Sequence, residues 1–264
     1  MSSCFRSNKA TGALLQYLQY RELLWNLVVR NLKVRYKNSS LGFFWTLLNP
    51  LFLIFIYYIF IRLMRFPMDL PQLLIGVIPW HFLSMTLSDS VEAISGNSTL
   101  ITKVRFPRLV LPLSIVVANC INYLLSLCVL IACLPLLGCP WSWGMLWLFV
   151  LIPITFAFVL GLSLLVCTGN VYFKDTAHLL GLVLMAWLFL TPIIYPLSQI
   201  PERFRELIFL NPMTCLIEGY RAAFLETAMP FTPFLVLSVI FIFTALWLGL
   251  RFFLHFEPVF ADEL

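Results

Sequence analysis

Asp89 and Glu92, with His81 eight residues before Asp89, are the residues whose types and spacing suit proton transfer. Carboxylates and an imidazole are the groups that form proton relays in ion-coupled membrane carriers. These three residues lie in or just after one apolar stretch, and the two carboxylates stand at its end, where polar side chains meet water. We interpret them as polar residues at a wet helix end, and a proton relay is the alternative.

Other catalytic patterns are missing from the sequence. No Gly-x-x-x-x-Gly-Lys-[Ser/Thr] loop occurs, so the chain does not bind ATP by the P-loop mechanism. His81, His178 and His255 are far apart, and neither a His-Glu-x-x-His nor a Gly-x-Ser-x-Gly pattern is present. The seven cysteines lack Cys-x-x-Cys spacing, and we interpret them as small hydrophobic residues. These observations predict no catalytic or metal-binding residue and argue against an enzyme that acts alone.

The composition is that of a membrane protein. Hydrophobic residues make up 61% of the chain and charged residues 11%, so a water-soluble fold could not cover its surface with polar side chains. Six stretches without Asp, Glu, Lys or Arg are long enough to cross about 30 Å of hydrocarbon as helices. The six predicted spans are residues 41–61, 70–88, 109–137, 145–168, 179–195 and 231–250. Their lack of charge argues against an ion-coupled carrier and against a membrane-embedded transferase.

The cations predict the orientation of the chain. Of the 17 Lys and Arg residues, twelve fall on the side of the N-terminus and five on the other side. The positive-inside rule therefore places both termini in the cytosol, and the position of the cations around the spans argues against a nucleic-acid partner. The first apolar run begins about forty residues into the chain and lacks a cleavage site, which excludes a secretory signal peptide. We expect one membrane domain over residues 1–264, with a cytosolic amphipathic lead-in (1–40), six spans (41–253) and a cytosolic tail (254–264).

Residues 17–37 form a predicted amphipathic helix. Its apolar stripe recurs every four positions and consists of Tyr20, Leu24, Val28, Leu32 and Tyr36. Its opposite stripe consists of Glu22, Asn26, Arg30, Lys33 and Lys37. Such a helix lies in the membrane plane and directs its cations towards lipid phosphates or a protein partner. Lipid anchoring alone and docking of a partner are both left open.

The polar segment of residues 96–112 follows the second span. It begins with Asn97 and Ser98, which are good helix caps, and carries three cations before Pro112. The pattern predicts a short capped helix at the mouth of two spans, where it is well placed to receive a push from a cytosolic motor. An ordinary basic loop is the alternative.

The polar segment between the fifth and sixth spans contains two predicted helix starts. Pro201 and Pro212 suit the first turn of a helix, and Asn211 is a good N-cap. Glu218 and Arg221 are three residues apart and are expected to pair across one turn. Two short amphipathic helices here would lie on, or dip into, the outer leaflet, and a dipping hairpin must face protein or a watery cavity because lipid cannot satisfy its backbone turn. We regard this segment as a candidate gate.

The first predicted span is rich in aromatic residues and contains Asn49-Pro50. Pro50 lacks an N–H group and its ring crowds the carbonyl group of Thr46, which predicts a kink. Most of the aromatic side chains are expected to pack or to lie at the membrane interface. Those that face a pore would offer flat apolar faces to sugar rings.

Four motifs resemble one known family in the same order along the chain. They are LKVRYKNSSLGFFWTLLNPL, LITKVRFPRLVLPLS, TPIIYPLSQIPERF and LNPMTCLIEGYRAAF. From about Leu23 to the C-terminus, the chain resembles the permeases of O-antigen polysaccharide ABC exporters, in the wider group of ABC-2 type membrane components that includes teichoic-acid and capsule exporters. This family often has an Arg-Asp pair after the fourth span. Lys174-Asp175 keeps the charge at that point but lacks the bidentate geometry of arginine.

The resemblance implies a homodimer of six-span subunits in the bacterial cytoplasmic (inner) membrane, with two copies of a separate cytosolic ABC ATPase bound beneath it. ATP and Mg²⁺ would bind to the ATPases, and this chain would bind no cofactor. The substrate would be a polysaccharide attached to undecaprenyl diphosphate, exported through a channel between the subunits. An exporter of teichoic acid, capsule or a small hydrophobic molecule is the alternative.

The resemblance also implies roles for individual residues. Contacts with the ATPase are expected at Arg30, Lys33, Arg35, Leu100, Lys103 and Arg105. The gate helices at the outer mouth are expected to contain Pro201, Pro212, Glu218, Tyr220 and Arg221. The candidate channel-lining residues are Trp45, Asn49, Phe52 and Tyr195.

Overall fold

The computed structural model describes residues 20–35, 45–64, 68–104, 106–227, 233–261 and 263. Within these ranges the fold is all-helical and has no β-strand, which confirms the all-α class that the predicted helices imply. The α-helices are α1 (Arg21–Arg35), α2 (Trp45–Met64), α3 (Leu70–Ser90), α4 (Ser98–Lys103), α5 (Val110–Cys133), α6 (Leu148–Tyr172), α7 (Thr176–Leu190), α8 (Glu202–Ile208), α9 (Pro212–Leu225) and α10 (Pro233–Phe256). Short 3-10 turns at Ser95–Asn97, Leu134–Leu137, Trp143–Trp147, Leu197–Gln199 and Glu257–Ala261 connect or extend these helices.

In the part of the chain that the structure describes, four helical segments are long and apolar enough to cross a membrane. They are Leu70–Ser90, Val110–Leu137, Trp143–Tyr172 and Leu235–Phe260. These segments match the second, third, fourth and sixth predicted spans with shifts of a few residues, except that the last helix continues beyond its predicted end at residue 250. The chain is therefore a membrane protein with at least four candidate spans.

The first and fifth predicted spans correspond to shorter apolar helices, Leu51–Met64 and Thr176–Leu190. The second of these, α7, has 15 residues and rises about 22 Å, which is less than the hydrocarbon thickness. Its predicted end at residue 195 is wrong. Pro192 lacks an N–H group and disfavours a helical conformation at the residue before it, so Thr191 is extended, with φ −109° and ψ 131°.

Two hydrophobic cores hold the helices together. The larger core surrounds α3, which packs against α5, α6 and α9 and is buried along most of its length. The smaller core joins α1, α4 and the ends of α5, α6 and α10, and its members include Leu27, Ile94, Ile101, Val110, Val171 and Phe260. Helix α1, the segment after α3 and the turn after α10 therefore meet at one end of the bundle.

The closest packing lies between α6 and α10. A Cβ atom added to Gly161 would lie 2.6 Å from Leu246 Cα, so only glycine allows this approach of the two backbones. Gly249 meets the backbone of Gly161 from the other side. Small residues of this kind let membrane helices exchange van der Waals contacts along their backbones.

Candidate functional site

Helix α1 is amphipathic, and its apolar side is covered by protein. Val28 is fully buried and Leu27 is 6% exposed, while Asn31 Nδ2 donates a hydrogen bond to Ser114 Oγ of α5 over 3.0 Å. The predicted polar stripe lies outside, with exposed side chains at Glu22, Asn26, Arg30 and Lys33. The helix therefore docks on α5 and directs its charges away from the bundle. The side chain of Arg35 lies outside the described residues.

Asn97 joins α1 to α4. Its Oδ1 accepts a hydrogen bond from Arg30 Nη2 over 3.1 Å, and its Nδ2 donates to the carbonyl group of Ala93 over 2.9 Å. The predicted capping role of the Asn97 side chain is wrong, because this side chain makes no capping bond to α4. The Oδ1 atom of Asn97 instead accepts the hydrogen bond from Arg30, because the 3-10 turn Ser95–Asn97 directs this side chain towards α1.

Helix α4 is short, with a buried side chain at Ile101 and an exposed cation at Lys103. Ile101 is 4% exposed and fits into the smaller core, with Leu100 half-buried beside it. Lys103 is exposed in the last turn. Arg105 lies outside the described residues. The structure thus brings Leu100 and Lys103 to the same end of the bundle as Arg30 and Lys33.

The loop after α4 is fastened to the C-terminal turn. The backbone N–H of Arg108 donates to Glu257 Oε1 over 2.8 Å, and its guanidinium group donates to the Glu257 carbonyl oxygen. Phe260 is fully buried against Phe253, with ring centroids 5.3 Å apart. Over the described residues, the segment predicted as a C-terminal tail is therefore partly a continuation of α10 and partly a docked turn.

At the opposite end, Asn211 fixes the start of α9. Its Oδ1 accepts from the backbone N–H of Met213 over 3.0 Å, which confirms the predicted N-cap, and also from Trp187 Nε1 over 2.9 Å. Its Nδ2 donates to Thr191 Oγ1 over 2.8 Å. One amide group therefore caps α9 and ties it to the end of α7. Pro212 is the buried first residue of α9, and Pro201 is exposed just before α8.

Arg221 and Glu218 form the predicted ion pair, with 2.6 Å between Arg221 Nη1 and Glu218 Oε1. The pair is not on a solvated face, because Arg221 is only 5% exposed. Arg221 Nε donates to the Gln72 carbonyl oxygen over 3.2 Å, and Nη2 donates to that of Ile193 over 3.1 Å. The guanidinium group thus joins α9 to the first turn of α3 and to the turn after α7. Burial raises the pKa of Glu218 above its ordinary value, and Arg221 offsets part of this rise.

Helix α9 is a wedge between α3 and α6. Its apolar stripe is buried and consists of Met213, Ile217, Tyr220 and Phe224. The hydroxyl group of Tyr220 lies 3.0 Å from Thr155 Oγ1, which donates its own proton to the Leu151 carbonyl oxygen over 2.8 Å. Tyr220 must therefore be the donor to Thr155. By contrast, α8 exposes Phe204 and Leu207.

Of the four candidate channel-lining residues, three belong to α2 and the fourth, Tyr195, follows α7. Phe52 is 56% exposed on α2. Tyr195 lies in the turn after α7, and its hydroxyl group donates to the Phe189 carbonyl oxygen over 2.8 Å. Trp45 and Asn49 belong to α2, but their side chains lie outside the described residues. The channel-lining assignment stays a prediction.

Sequence reasoning missed a polar cavity of about 500 Å³ between α1, α3 and α5. Asp89, Glu92, Asn119 and Asn122 are among its lining residues, and Asn119 Nδ2 donates to Asp89 Oδ2 over 2.9 Å. The signal for it was present in the sequence, because two asparagines three residues apart in a long apolar helix need polar neighbours. His81 is about 12 Å from Asp89 along the helix axis, too far for direct proton transfer. Among the residues that the structure describes, no three His, Cys, Asp or Glu side chains are grouped as a metal site.

The chain is similar to known proteins along most of its length. The sequence model of the ABC-2 type transporter family matches residues 22–225. An O-antigen export system permease protein RfbA of Myxococcus xanthus is 37% identical over 258 residues, which are 93% of this chain and 96% of that protein. A protein of the same name from Klebsiella pneumoniae is 32% identical over 92% of this chain and 95% of its own length. The polysialic acid transport protein KpsM of Escherichia coli is 26% identical over 75% of this chain and 79% of its own length.

Proposed function

Because the chain belongs to the ABC-2 type transporter family and is a membrane subunit of a polysaccharide ABC exporter, we propose that it forms the path by which an undecaprenyl-diphosphate-linked polysaccharide of O-antigen type leaves the bacterial cytosol. The observation that carries this proposal is the similarity to O-antigen export permeases along nearly the whole chain. The similarity to the polysialic acid transport protein is lower and covers less of the chain. O-antigen type cargo is therefore favoured over capsule.

The proposed subunit crosses the cytoplasmic membrane six times, with both termini in the cytosol. Helix α2 has 20 residues and rises about 30 Å, which matches the hydrocarbon thickness. Helix α7 has 15 residues and ends at a turn in which the Ile193 carbonyl group accepts a hydrogen bond from Arg221 of α9. The protein itself therefore satisfies this backbone group, as a turn at membrane depth requires. The clustering of α1, α4 and the C-terminal turn at one end, together with the cations there, supports this orientation.

Two copies of the chain and two copies of a separate ABC ATPase make up the proposed exporter. The exposed cations Arg30, Lys33 and Lys103 lie on α1 and α4, and both helices are braced from behind by buried apolar residues. A helix that is packed against the bundle on one face and bound to the ATPase on the other would move with the ATPase without bending. In this proposal ATP and Mg²⁺ bind only to the ATPases, and this chain converts their movement into opening of the path.

The outer end of the path is the proposed gate. Helix α8 exposes apolar side chains to the outer leaflet, whereas α9 is wedged into the bundle and fastened by Asn211 and Arg221. Because Arg221 links α9 and the turn after α7 to Gln72 of α3, opening then requires these three segments to move together or the bond to Gln72 to break. Trp45, Asn49, Phe52 and Tyr195 remain the proposed channel-lining residues.

The test in cells is deletion of this chain in its native host. The proposal predicts that surface polysaccharide is lost, that lipid-linked polysaccharide accumulates on the cytosolic face, and that a plasmid copy restores export. The matched control is deletion of the partner ATPase, which should give the same pool. Normal surface polysaccharide, or loss of it without the cytosolic pool, would overturn the proposal.

A further inference from the structure

Helix α4 is too short to hold its own position. It has six residues, Ser98–Lys103, and isolated helices of fewer than about 12 residues are marginal in water. Of these six residues, all of which the structure describes, only Ile101 is buried. The place of α4 on the bundle is therefore set by contacts with other segments of the chain.

Two hydrogen bonds hold the turn that precedes α4. Arg30 Nη2 of α1 donates to Asn97 Oδ1 over 3.1 Å, and Asn170 Nδ2 of α6 donates to Ser95 Oγ over 3.3 Å. Both bonds lie at the N-terminal end of α4. They do not fix the other end of the helix, which carries Lys103.

The segment after α4 is held by the turn Glu257–Ala261, which follows α10 and also contacts α4 itself. The backbone N–H of Arg108 donates to Glu257 Oε1 over 2.8 Å, and the guanidinium group of Arg108 donates to the Glu257 carbonyl oxygen. Each residue thus offers the other one backbone group and one side-chain group. The two bonds join residues that are 149 positions apart and fasten the far end of α4 to this turn.

Phe260 links this turn to the most closely packed pair of helices. Its side chain is fully buried in the same small core as Ile101, and its ring centroid lies 5.3 Å from that of Phe253 on α10. Helix α10 in turn packs on α6, where the backbones of Gly161 and Leu246 meet. Because a close-packed interior deforms little, a displacement of α4 would pass through the turn to α10.

We propose that the turn Glu257–Ala261 positions α4 for the ATPase and passes the movement of α4 to α10. Glu257 and Phe260 are then positioning residues, because they act through α4 and not by touching a ligand. This inference rests on the proposed function, in which α4 docks the ATPase. It adds that the turn after the last helix takes part in coupling and that α10 receives the movement.

Hydrogen exchange measured by mass spectrometry tests the positioning in the purified full-length chain, without the ATPase. Phe260→Ala removes the buried ring and Glu257→Ala removes the carboxylate. Each variant should speed exchange of the backbone amides of α4 about fivefold, with little change in α5 and α6. Val259→Ala, at an exposed position of the same turn, is the matched control and should exchange like the unaltered chain.

Two results of this experiment would overturn the proposal. One is unchanged exchange of α4 in both variants, since the turn would then not hold the helix. The other is equally faster exchange throughout α5 and α6, since the turn would then stabilise the whole fold and not α4 in particular. Glu257→Ala, at a half-buried position, decides between these results if Phe260→Ala does not fold.

The second measurement is the polysaccharide exported per ATP hydrolysed, in vesicles that contain the ATPase. Phe260→Ala should keep ATPase binding but lower this ratio about fivefold, whereas Phe260→Leu, which still fills the core, should keep most of it. A merely structural role would reduce the amount of folded protein and leave the ratio of the remaining protein unchanged. That result would contradict the proposal.

The two measurements separate this inference from the proposed function. If the unaltered chain exports no polysaccharide, the proposed function fails, and the exchange of α4 still reports whether the turn holds this helix. If the unaltered chain exports normally and both Phe260→Ala and Glu257→Ala keep its ratio, the proposed function stands and this inference fails.

Discussion

Arg30 Nη2 donates a hydrogen bond to Asn97 Oδ1 over 3.1 Å and so joins two segments that are 67 residues apart in the sequence. One partner belongs to α1 and the other to the turn that leads into α4. Both helices also insert side chains, Leu27 and Ile101, into the same small core. We therefore expect α1 and α4 to respond to an ATPase as one unit.

The first prediction concerns this contact. Asn97→Ala removes the link to Arg30 but keeps every cation, and it should lower export several-fold, because a hydrogen bond to a charged group contributes roughly 1.5–3 kcal/mol and less where it is exposed. Surface polysaccharide per cell, at equal protein level, is the measurement. Asn26→Ala, at an exposed position of α1, should export normally. Normal export by Asn97→Ala would show that the two helices do not need this bond.

The second prediction concerns the cations of the short helix. Charge reversal at Lys103 and Arg105 should uncouple transport from ATP hydrolysis if this segment docks the ATPase. The readout is the ratio of polysaccharide exported to ATP hydrolysed in membrane vesicles, which should fall by about tenfold, equivalent to roughly 1.4 kcal/mol of lost coupling. Arg62→Glu, at an exposed position in the last turn of α2, is the control. An unchanged ratio in the double variant would refute the docking role.

The third prediction concerns the buried ion pair. Arg221→Met leaves the Glu218 carboxylate buried without its cation and should destabilise the protein by about 3–5 kcal/mol. The melting temperature of the purified protein measures this effect, and Glu218→Gln added to Arg221→Met should recover part of the loss. The two single variants should also alter gating, because Arg221 holds the turn after α7. If the double variant is no more stable than Arg221→Met, the unpaired Glu218 carboxylate is not the cause of the lost stability.

The same pair predicts a pH dependence for Arg221→Met. Burial raises the pKa of Glu218, and loss of the guanidinium group removes the opposing effect. A carboxyl group whose pKa is raised in the folded state destabilises that state once it ionises, so the stability of the variant should increase as the pH falls towards this raised pKa. Melting curves between neutral and mildly acidic pH test the sign. Glu218→Gln/Arg221→Met should lack this dependence.

The fourth prediction concerns the contact of α6 with α10. Gly161→Leu would place side-chain atoms where the Leu246 backbone lies and should destabilise the fold by more than about 3 kcal/mol. Gly181→Ala is the matched control, because a Cβ atom there meets no atom within 4 Å. The yield of monodisperse protein after extraction from membranes is the measurement. Equal yields from the two variants would contradict the close approach of the backbones.

Local signals were enough to predict the all-helical fold, four candidate spans and one cap. Long charge-free runs gave the four candidate spans, and Asn211 was predicted as an N-cap because its partner, the Met213 backbone N–H, is two residues away. The end of α7 was missed although Pro192 marked it. The charge-free run of residues 179–195 is long enough for a full span, and this length was given more weight than the helix-breaking effect of Pro192.

Contacts between distant segments could not be predicted. Asn97 had the residue type of a helix cap, but its oxygen is held by Arg30 from another helix. Arg221 was expected to pair with Glu218, whereas its bonds to Gln72 and Ile193 reach 149 and 28 residues along the chain. These partners become neighbours only once α3 and α9 pack, so the difference between a solvated pair and a buried link was not visible in the sequence.

The most direct test of the account is transport by purified components. This chain and its partner ATPase are reconstituted in vesicles that contain undecaprenyl-diphosphate-linked polysaccharide, and an impermeant glycosidase reports the polysaccharide on the side opposite to the ATPase. The account predicts that ATP increases the digested fraction with time, and that vesicles lacking this chain show no increase. A digested fraction that does not respond to ATP, although the ATPase is bound and hydrolyses ATP, would contradict it.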